Sequence, residues 1–458
     1  MGGSPYTSGW GLVFFISVAA AVALSCLSCK GDGTGKGGHG PDREFRAFQR
    51  TYLAVYYLAM LADWLQGPYV YALYDSYGFS SHDIAVLFVG GFGSSMVFGT
   101  FAGAAADRIG RKTCGLLYAV LYILSCMTKH YKDYSMLMLG RVLGGVATSL
   151  LFSTFESWLV CEHNARGYDS AWIGDTFSLA YFGNSVAAIL AGVLAEMAAS
   201  AKPLTPSAEG STVHFGGFTA PFDLSIAVLV LLLGALLILW NENYGGSSSA
   251  TKASGAPAES LYRALRALAR DRAILLLGTC ISFFEGSMYV FVFKWTPVLS
   301  GGGDERPPYG LIFSTFMVIG GMLKSQLVPE EVRLFIYLFI FQGGGHPPTH
   351  TPTHTLIYST GACVPTHPLT RPRTHRFPQQ VRATVYNIFR IPLNLIVLGV
   401  LLNSLSQFVA FSVCGSMLAI AAVCMHQLGS MHVRGYSSRS GECILLGSVD
   451  DKAETCQL

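Results

Sequence analysis

The feature that most constrains this chain is a succession of long apolar runs, separated by short segments that hold most of its charge. Eleven runs are apolar over roughly the length a helix needs to cross a bilayer core: Trp10–Cys29, Tyr52–Leu73, Ile84–Ala106, Thr113–Met127, Tyr134–Val160, Trp172–Ala199, Phe222–Trp240, Ala273–Leu299, Tyr309–Leu323, Thr384–Asn403 and Gln407–Met425. A twelfth, Leu334–Phe341, is too short to span. In lipid only helices and closed barrels satisfy every backbone group, and runs of this length and continuity are helical. Composition agrees. As a soluble protein, 458 residues would make about three domains, but charged residues are 12% of the chain, against roughly 25% in soluble domains, and 51% are hydrophobic. Several soluble cores could not be covered by so little charge, so the partner of this surface is a lipid bilayer.

The formal net charge of +3 is too small, and too dispersed among loops, for a nucleic-acid partner. The eleven cysteines are scattered, mostly within apolar runs, which argues against a disulfide framework. Cys26 and Cys29 form a lone CxxC with no second ligand pair nearby, and His350 and His354 stand in a Thr/Pro/His tract whose composition gives that spacing by chance. We expect no metal, no cofactor and no enzymatic activity, because no nucleophile, phosphate loop or ligand cluster stands out.

Lys and Arg in the short loops set orientation. The segment 30–50 carries Lys30, Lys36, Arg43, Arg46 and Arg50; the loop 107–112 carries Arg108, Arg111 and Lys112; the segment 241–272 carries Lys252, Arg263, Arg266, Arg270 and Arg272. Alternating helices put all three on one side, read as the cytoplasm, while the acidic 74–83 loop falls on the other. The first run has no basic residue before it, which favours an uncleaved helix over a signal peptide.

These features divide the chain into an extra N-terminal helix and basic loop (1–49), a six-helix bundle (50–240), a cytoplasmic linker (241–272), the first part of a second bundle (273–333), a low-complexity tract (334–382), two last helices (383–427) and a cytoplasmic tail (428–458). The linker is rich in Gly, Ser and Ala and leads into a basic amphipathic stretch suited to a membrane surface. The tract 334–382 holds 7 of the 19 prolines, which rules out a packed helix. We read it as a translated intron or splice remnant, with Arg333 natively joined to Ala383.

Two motifs sharpen the fold. GAAADRIGRK, 103–112, with Gly103, Asp107, Arg108, Gly110, Arg111 and Lys112, resembles the loop signature between the second and third helices of the major facilitator superfamily. GRVLGGVATSLLFSTFESW, 140–158, resembles that superfamily's fourth-helix arginine motif at Arg141. Together with ADWLQGPYVYALY, LLLGTCISFFEGSMYVFVFKWTPVL, GLIFSTFMV and NIFRIP, these segments are similar to the molybdate-anion transporter family, in which an extra N-terminal run also occurs. The resemblance implies an all-α membrane protein of major facilitator fold, built as two helical bundles plus one extra helix. It also implies molybdate uptake at the plasma membrane by alternating access, with the loop motif as a gating hinge. Two helices that the family has after Leu323 are absent from the apolar pattern, so the C-terminal bundle reads as incomplete. The residues alone support a small anion or polar solute; the alternatives are a proton-coupled carrier of another solute such as a sugar, and a non-transporting membrane sensor or adaptor.

Ionisable groups inside spans cost about 2.5–3.5 kcal/mol each and point to function. Asp63 and Glu285 occupy corresponding mid-span positions of the two halves and suit proton uptake and release from one cavity, with a structural pairing as the alternative. Glu156 is read as a cytoplasmic gate or proton residue, ~22 Å along its helix from Arg141. For a tetrahedral dianion the first choice is the polar stripe Asn387, Arg390 and Asn394, since arginine makes forked contacts to oxyanion oxygens. Asn184, Arg141 and Gln66 complete the candidate substrate contacts, Arg141 with the alternative of pairing to Asp63.

Overall fold

The computed structural model describes residues 9–28, 42–244, 266, 272–300, 306–324, 389, 393, 395–403 and 406–445. Helices dominate: α1 (Gly9–Ser28), α2 (Arg43–Gln66), α3 (Val70–Ser76), α4 (Ser81–Ile109), α5 (Arg111–Thr128), α6 (Tyr134–Ala165), α7 (Ser170–Ala201), α8 (Ala220–Leu239), α9 (Arg272–Ser300), α10 (Tyr309–Lys324) and α11 (Gln407–Leu445), with residues 395–402 also helical. Six stretches among the described residues are long and apolar enough to cross a membrane. The tract 334–382 lies outside the described residues. The last helix does not stop where the sequence placed a tail at 428; it runs on to Leu445, and no proline interrupts that stretch.

Local chemistry explains the boundaries. Asp42 starts α2 by accepting from the Phe45 amide at 2.7 Å, Ser80 and Asp83 form a capping box on α4, and Asp133 starts α6 by accepting from Met136 N at 2.8 Å. Gly67 and Pro68 break α2 from α3 through a single 3-10 turn. Between α4 and α5 the chain turns on one residue, Gly110, at φ 107°, where a side chain would be strained and would meet the Glu242 carboxylate.

The first bundle packs α4 and α5 against α6, and α2 against α7 and α8. At the end that carries the basic loops, its core is a stack of aromatic rings. The Trp158 and Trp240 rings lie 4.0 Å apart at 6°, and Tyr52 and Phe155 close on them. At the opposite, far end a short hairpin, β1 (Thr205–Pro206) with β2 (His214–Phe215), folds over the loop after α5.

The second half approaches through α9 and α10. Phe293 of α9 meets Tyr71 and Phe88 at 5.5 and 5.6 Å, and Phe313 of α10 meets Trp64 at 5.8 Å. Ser314 donates to the Ile189 carbonyl at 2.8 Å, tying α10 to α7.

Candidate functional site

A cavity of about 90 Å³, partly open to solvent, is walled mainly by the first bundle, with two residues of α9 completing its lining. Its wall takes Asp63 and Gln66 from α2, Phe88, Gly91, Phe92 and Ser95 from α4, Tyr122 and Ser125 from α5, Lys129 just after α5, Gly140, Arg141 and Thr148 from α6, and Tyr289 and Val292 from α9. Of the residues singled out from the sequence, it brings together Asp63, Gln66 and Arg141.

The Arg141 guanidinium carbon stands over the Phe88 ring, 4.6 Å from its centroid, and Nε donates to the Leu87 carbonyl at 3.2 Å. The approach is possible because residue 91 is glycine: a Cβ there would stand 2.7 Å from Nη2. Among the described residues no carboxylate pairs with Arg141, so the pairing with Asp63 considered above does not form. Asp63 is instead taken by the Tyr122 hydroxyl, which donates to it.

Lys129 was not a candidate from sequence. It follows the helix that ends at Thr128 and reads as an ordinary loop cation, yet it is 2% exposed. Among the described residues its ammonium has no hydrogen-bond partner; it sits 5.6 Å from the centroid of the Tyr74 ring and close over Gly140, where a Cβ would come within 3.1 Å of Nζ. The turn that carries it is fixed on both sides. Tyr77 donates to the Lys129 carbonyl at 2.8 Å, while His130 bonds the His214 carbonyl at 2.9 Å and the Asp223 carboxylate at 2.9 Å. Burial pushes the His130 pKa down, but those two hydrogen bonds and the Asp223 charge outweigh it and hold the imidazole above its usual value.

The other polar groups of the wall are largely committed. Ser125 donates to the Gly140 carbonyl at 2.6 Å and Thr148 to the Gly144 carbonyl at 2.9 Å. Gln66 donates through Nε2 to the Ala62 carbonyl and to Ser225 Oγ, which spends its amide hydrogens away from any anion. Arg141 and Lys129 are therefore the two cationic donors that this wall offers.

Several expected residues lie elsewhere. Asn184 is buried in α7 and accepts from Trp64 Nε1 at 2.8 Å, a contact that fixes the indole. Glu285 is buried in α9 one turn before Tyr289, and only the later turn reaches the cavity, so Asp63 and Glu285 do not share its wall. Glu156 accepts from the Tyr181 hydroxyl at 3.2 Å, well below the cavity on α6. Asn387, Arg390 and Asn394 lie outside the described residues.

The loop motif forms a closed network at the basic end. Asp107 and Arg111 pair at 2.6 Å across the Gly110 turn, and Arg111 also donates to Asn243 Oδ1 and the Tyr244 carbonyl. Glu242 accepts from Lys112 N at 2.7 Å, from Thr113 N at 2.9 Å and from Thr113 Oγ1 at 2.6 Å, capping the start of α5. Gly110 makes the turn, and Gly103 and Arg108 are exposed. Residues 241–244, assigned from sequence to the linker, thus complete the bundle.

A second acidic residue was missed near the far end. Glu196 of α7, 2% exposed, accepts from Tyr69 at 2.5 Å and from the Gly310 amide of α10 at 3.0 Å, with Arg306 4.0 Å away. It joins the two halves there. Its signal in the sequence was an acid three residues inside the end of an apolar run.

Comparison with known proteins follows the same lines. A family model described as sugar transporters, 12 TM, matches residues 11–340. A molybdate-anion transporter of Xenopus laevis is 34% identical over 416 residues, covering 84% of this chain and 87% of that protein. One from Danio rerio is 37% identical over 291 residues, covering 60% and 57%. Among solved structures, the nucleoside transporter NupG aligns with a TM-score of 0.52 at 11% identity, over 84% of this chain and 98% of its own. The peptide transporter POT in complex with sulfate aligns at 0.53 and 14% identity, over 84% and 94%. At these identities the two structures share the fold.

Proposed function

The chain belongs to the molybdate-anion transporter family of the major facilitator superfamily, and from that premise we propose that it carries molybdate across the plasma membrane by alternating access of its two halves. The observation that carries the reading to this chain's own residues is the cavity wall with two cations, Arg141 and the buried Lys129, and one carboxylate, Asp63. An oxyanion leaving water needs hydrogen-bond donors and positive charge on more than one side, and a guanidinium beside an ammonium supplies both.

Asp63, bonded to Tyr122 in the same wall, is the proposed proton site, and Arg390 with Asn387 and Asn394 the proposed contribution of the second half. Glu196, Tyr69 and Gly310 form the proposed far-end gate: they hold the halves together on one side, and rocking breaks those bonds. The 103–112 loop, latched to Glu242, is the proposed hinge at the cytoplasmic end. We propose that the tract 334–382 is a splice remnant; messenger sequence running from the Arg333 codon directly to that of Ala383 is the expected result, and the tract in every message contradicts it.

The family model's description favours a second reading, a proton-coupled sugar carrier. Uptake of labelled molybdate by proteoliposomes holding the full chain separates the two. Saturable uptake that tungstate inhibits and hexoses do not is the expected outcome. Inhibition by a hexose, with no effect of tungstate, favours the sugar reading.

A further inference from the structure

Resting on the oxyanion reading above, we propose that Lys129 is the second cation of the substrate site, and that it makes the site select doubly charged tetrahedral oxyanions over singly charged ones of the same shape. Lys129 lines the cavity that also holds Arg141 and is 2% exposed, and its buried ammonium has no hydrogen-bond partner among the described residues. An ammonium held in this way costs several kcal/mol relative to one paired or in water. The ring of Tyr74 returns only part of that cost. A chain under no functional demand at this point relieves the cost by letting the side chain reach the surface, since lysine has four flexible carbons and Lys129 starts from a helix end. Instead the backbone is fixed, with the Tyr77 hydroxyl on its carbonyl, and glycine at 140 leaves room for the ammonium beside α6.

Charge counting gives the selectivity. Arg141 and Lys129 bring two positive charges and Asp63 one negative, so the wall is singly positive with Asp63 ionised and doubly positive with Asp63 protonated from solution. A dianion entering with a proton on Asp63 leaves the site neutral. With Asp63 protonated in the same way a monoanion leaves a buried positive charge, and without Lys129 a monoanion is then the better match; with Asp63 ionised a monoanion balances the singly positive wall, so the preference for dianions belongs to the proton-loaded site. Both ligands are tetrahedral, so shape does not distinguish them, and only the electrostatic term changes.

The test is competition against labelled molybdate binding to the purified full chain, with tungstate as the dianion and perrhenate as the tetrahedral monoanion, in the wild type, Lys129→Met and Lys129→Arg. Wild type is expected to prefer tungstate over perrhenate by at least about tenfold, a difference of about 1.4 kcal/mol. Lys129→Met is expected to erase or reverse that ratio, and Lys129→Arg to keep it. The ratio does not depend on how much folded protein each sample holds, so a destabilised variant still gives an answer; should Lys129→Met bind too little label, the Lys129→Gln ratio is read instead. An unchanged ratio in both neutral variants overturns the proposal while leaving the oxyanion reading intact. Absence of any molybdate binding by the wild type overturns both.

Discussion

Two clusters of basic residues in the first bundle use the same chemistry to opposite ends. At the basic end, Arg111 is buried yet bonded to Asp107, Asn243 and the Tyr244 carbonyl, and Lys112 donates to the Leu237 carbonyl at 3.0 Å. In the cavity, Arg141 is held through one nitrogen only and Lys129 through none. Buried charge paired with a carboxylate fixes a conformation; buried charge left without a counter-ion holds binding capacity in reserve at a cost in stability. The difference separates the residues that hold the transporter's shape from those that meet its cargo.

That contrast can be broken by mutation. The largest effect is expected for Arg141→Gln: removal of charge-assisted hydrogen bonds worth about 1.5–3 kcal/mol each should lower molybdate uptake by about 10- to 100-fold, with thermal stability equal to or above wild type. Wild-type uptake in Arg141→Gln would place the anion elsewhere. Glu242→Ala comes next and should do the reverse. It removes three accepted hydrogen bonds at the start of α5, a loss of about 1–2 kcal/mol that a thermal-shift assay reads, with molybdate affinity of the folded fraction unchanged.

Smaller again is the effect of pH on the turn that carries Lys129. His130 has a pKa above its unfolded value, so its contribution is fully present below about pH 6.5 and is lost as pH rises through the higher folded value. Asp223 is half exposed, which screens the pair. The stability difference between wild type and His130→Gln should therefore shrink from about pH 6 to about pH 8.5, and a difference that grows over that range contradicts the assignment.

The membrane class and most span boundaries were legible because each depends on local sequence: apolar length or loop charge. Arg141 was legible because an arginine inside an apolar run is costly wherever it points. Lys129 was not, since burial of a residue two positions past the end of a run depends on the hairpin at His214 and on Tyr74 and Tyr77, which come from distant parts of the chain. Glu242 was hidden for a related reason: a Gly/Ser-rich linker begins three residues later, and nothing local shows that residues 241–244 fold back onto α5. Asn184 and Gln66 have the right chemistry for a ligand, but Asn184 stands outside the cavity wall, accepting from Trp64, and Ser225 and the Ala62 carbonyl take the Gln66 amide hydrogens.

The most direct test of the central claim, that the cavity with Arg141 and Lys129 is the transport site, is initial-rate uptake of labelled molybdate in proteoliposomes normalised to folded protein. The double variant Arg141→Gln/Lys129→Met is compared with Arg111→Gln at the basic end. The account predicts that the cavity variant takes up no more than empty vesicles while Arg111→Gln retains binding and measurable uptake. Wild-type uptake by the cavity variant would contradict it.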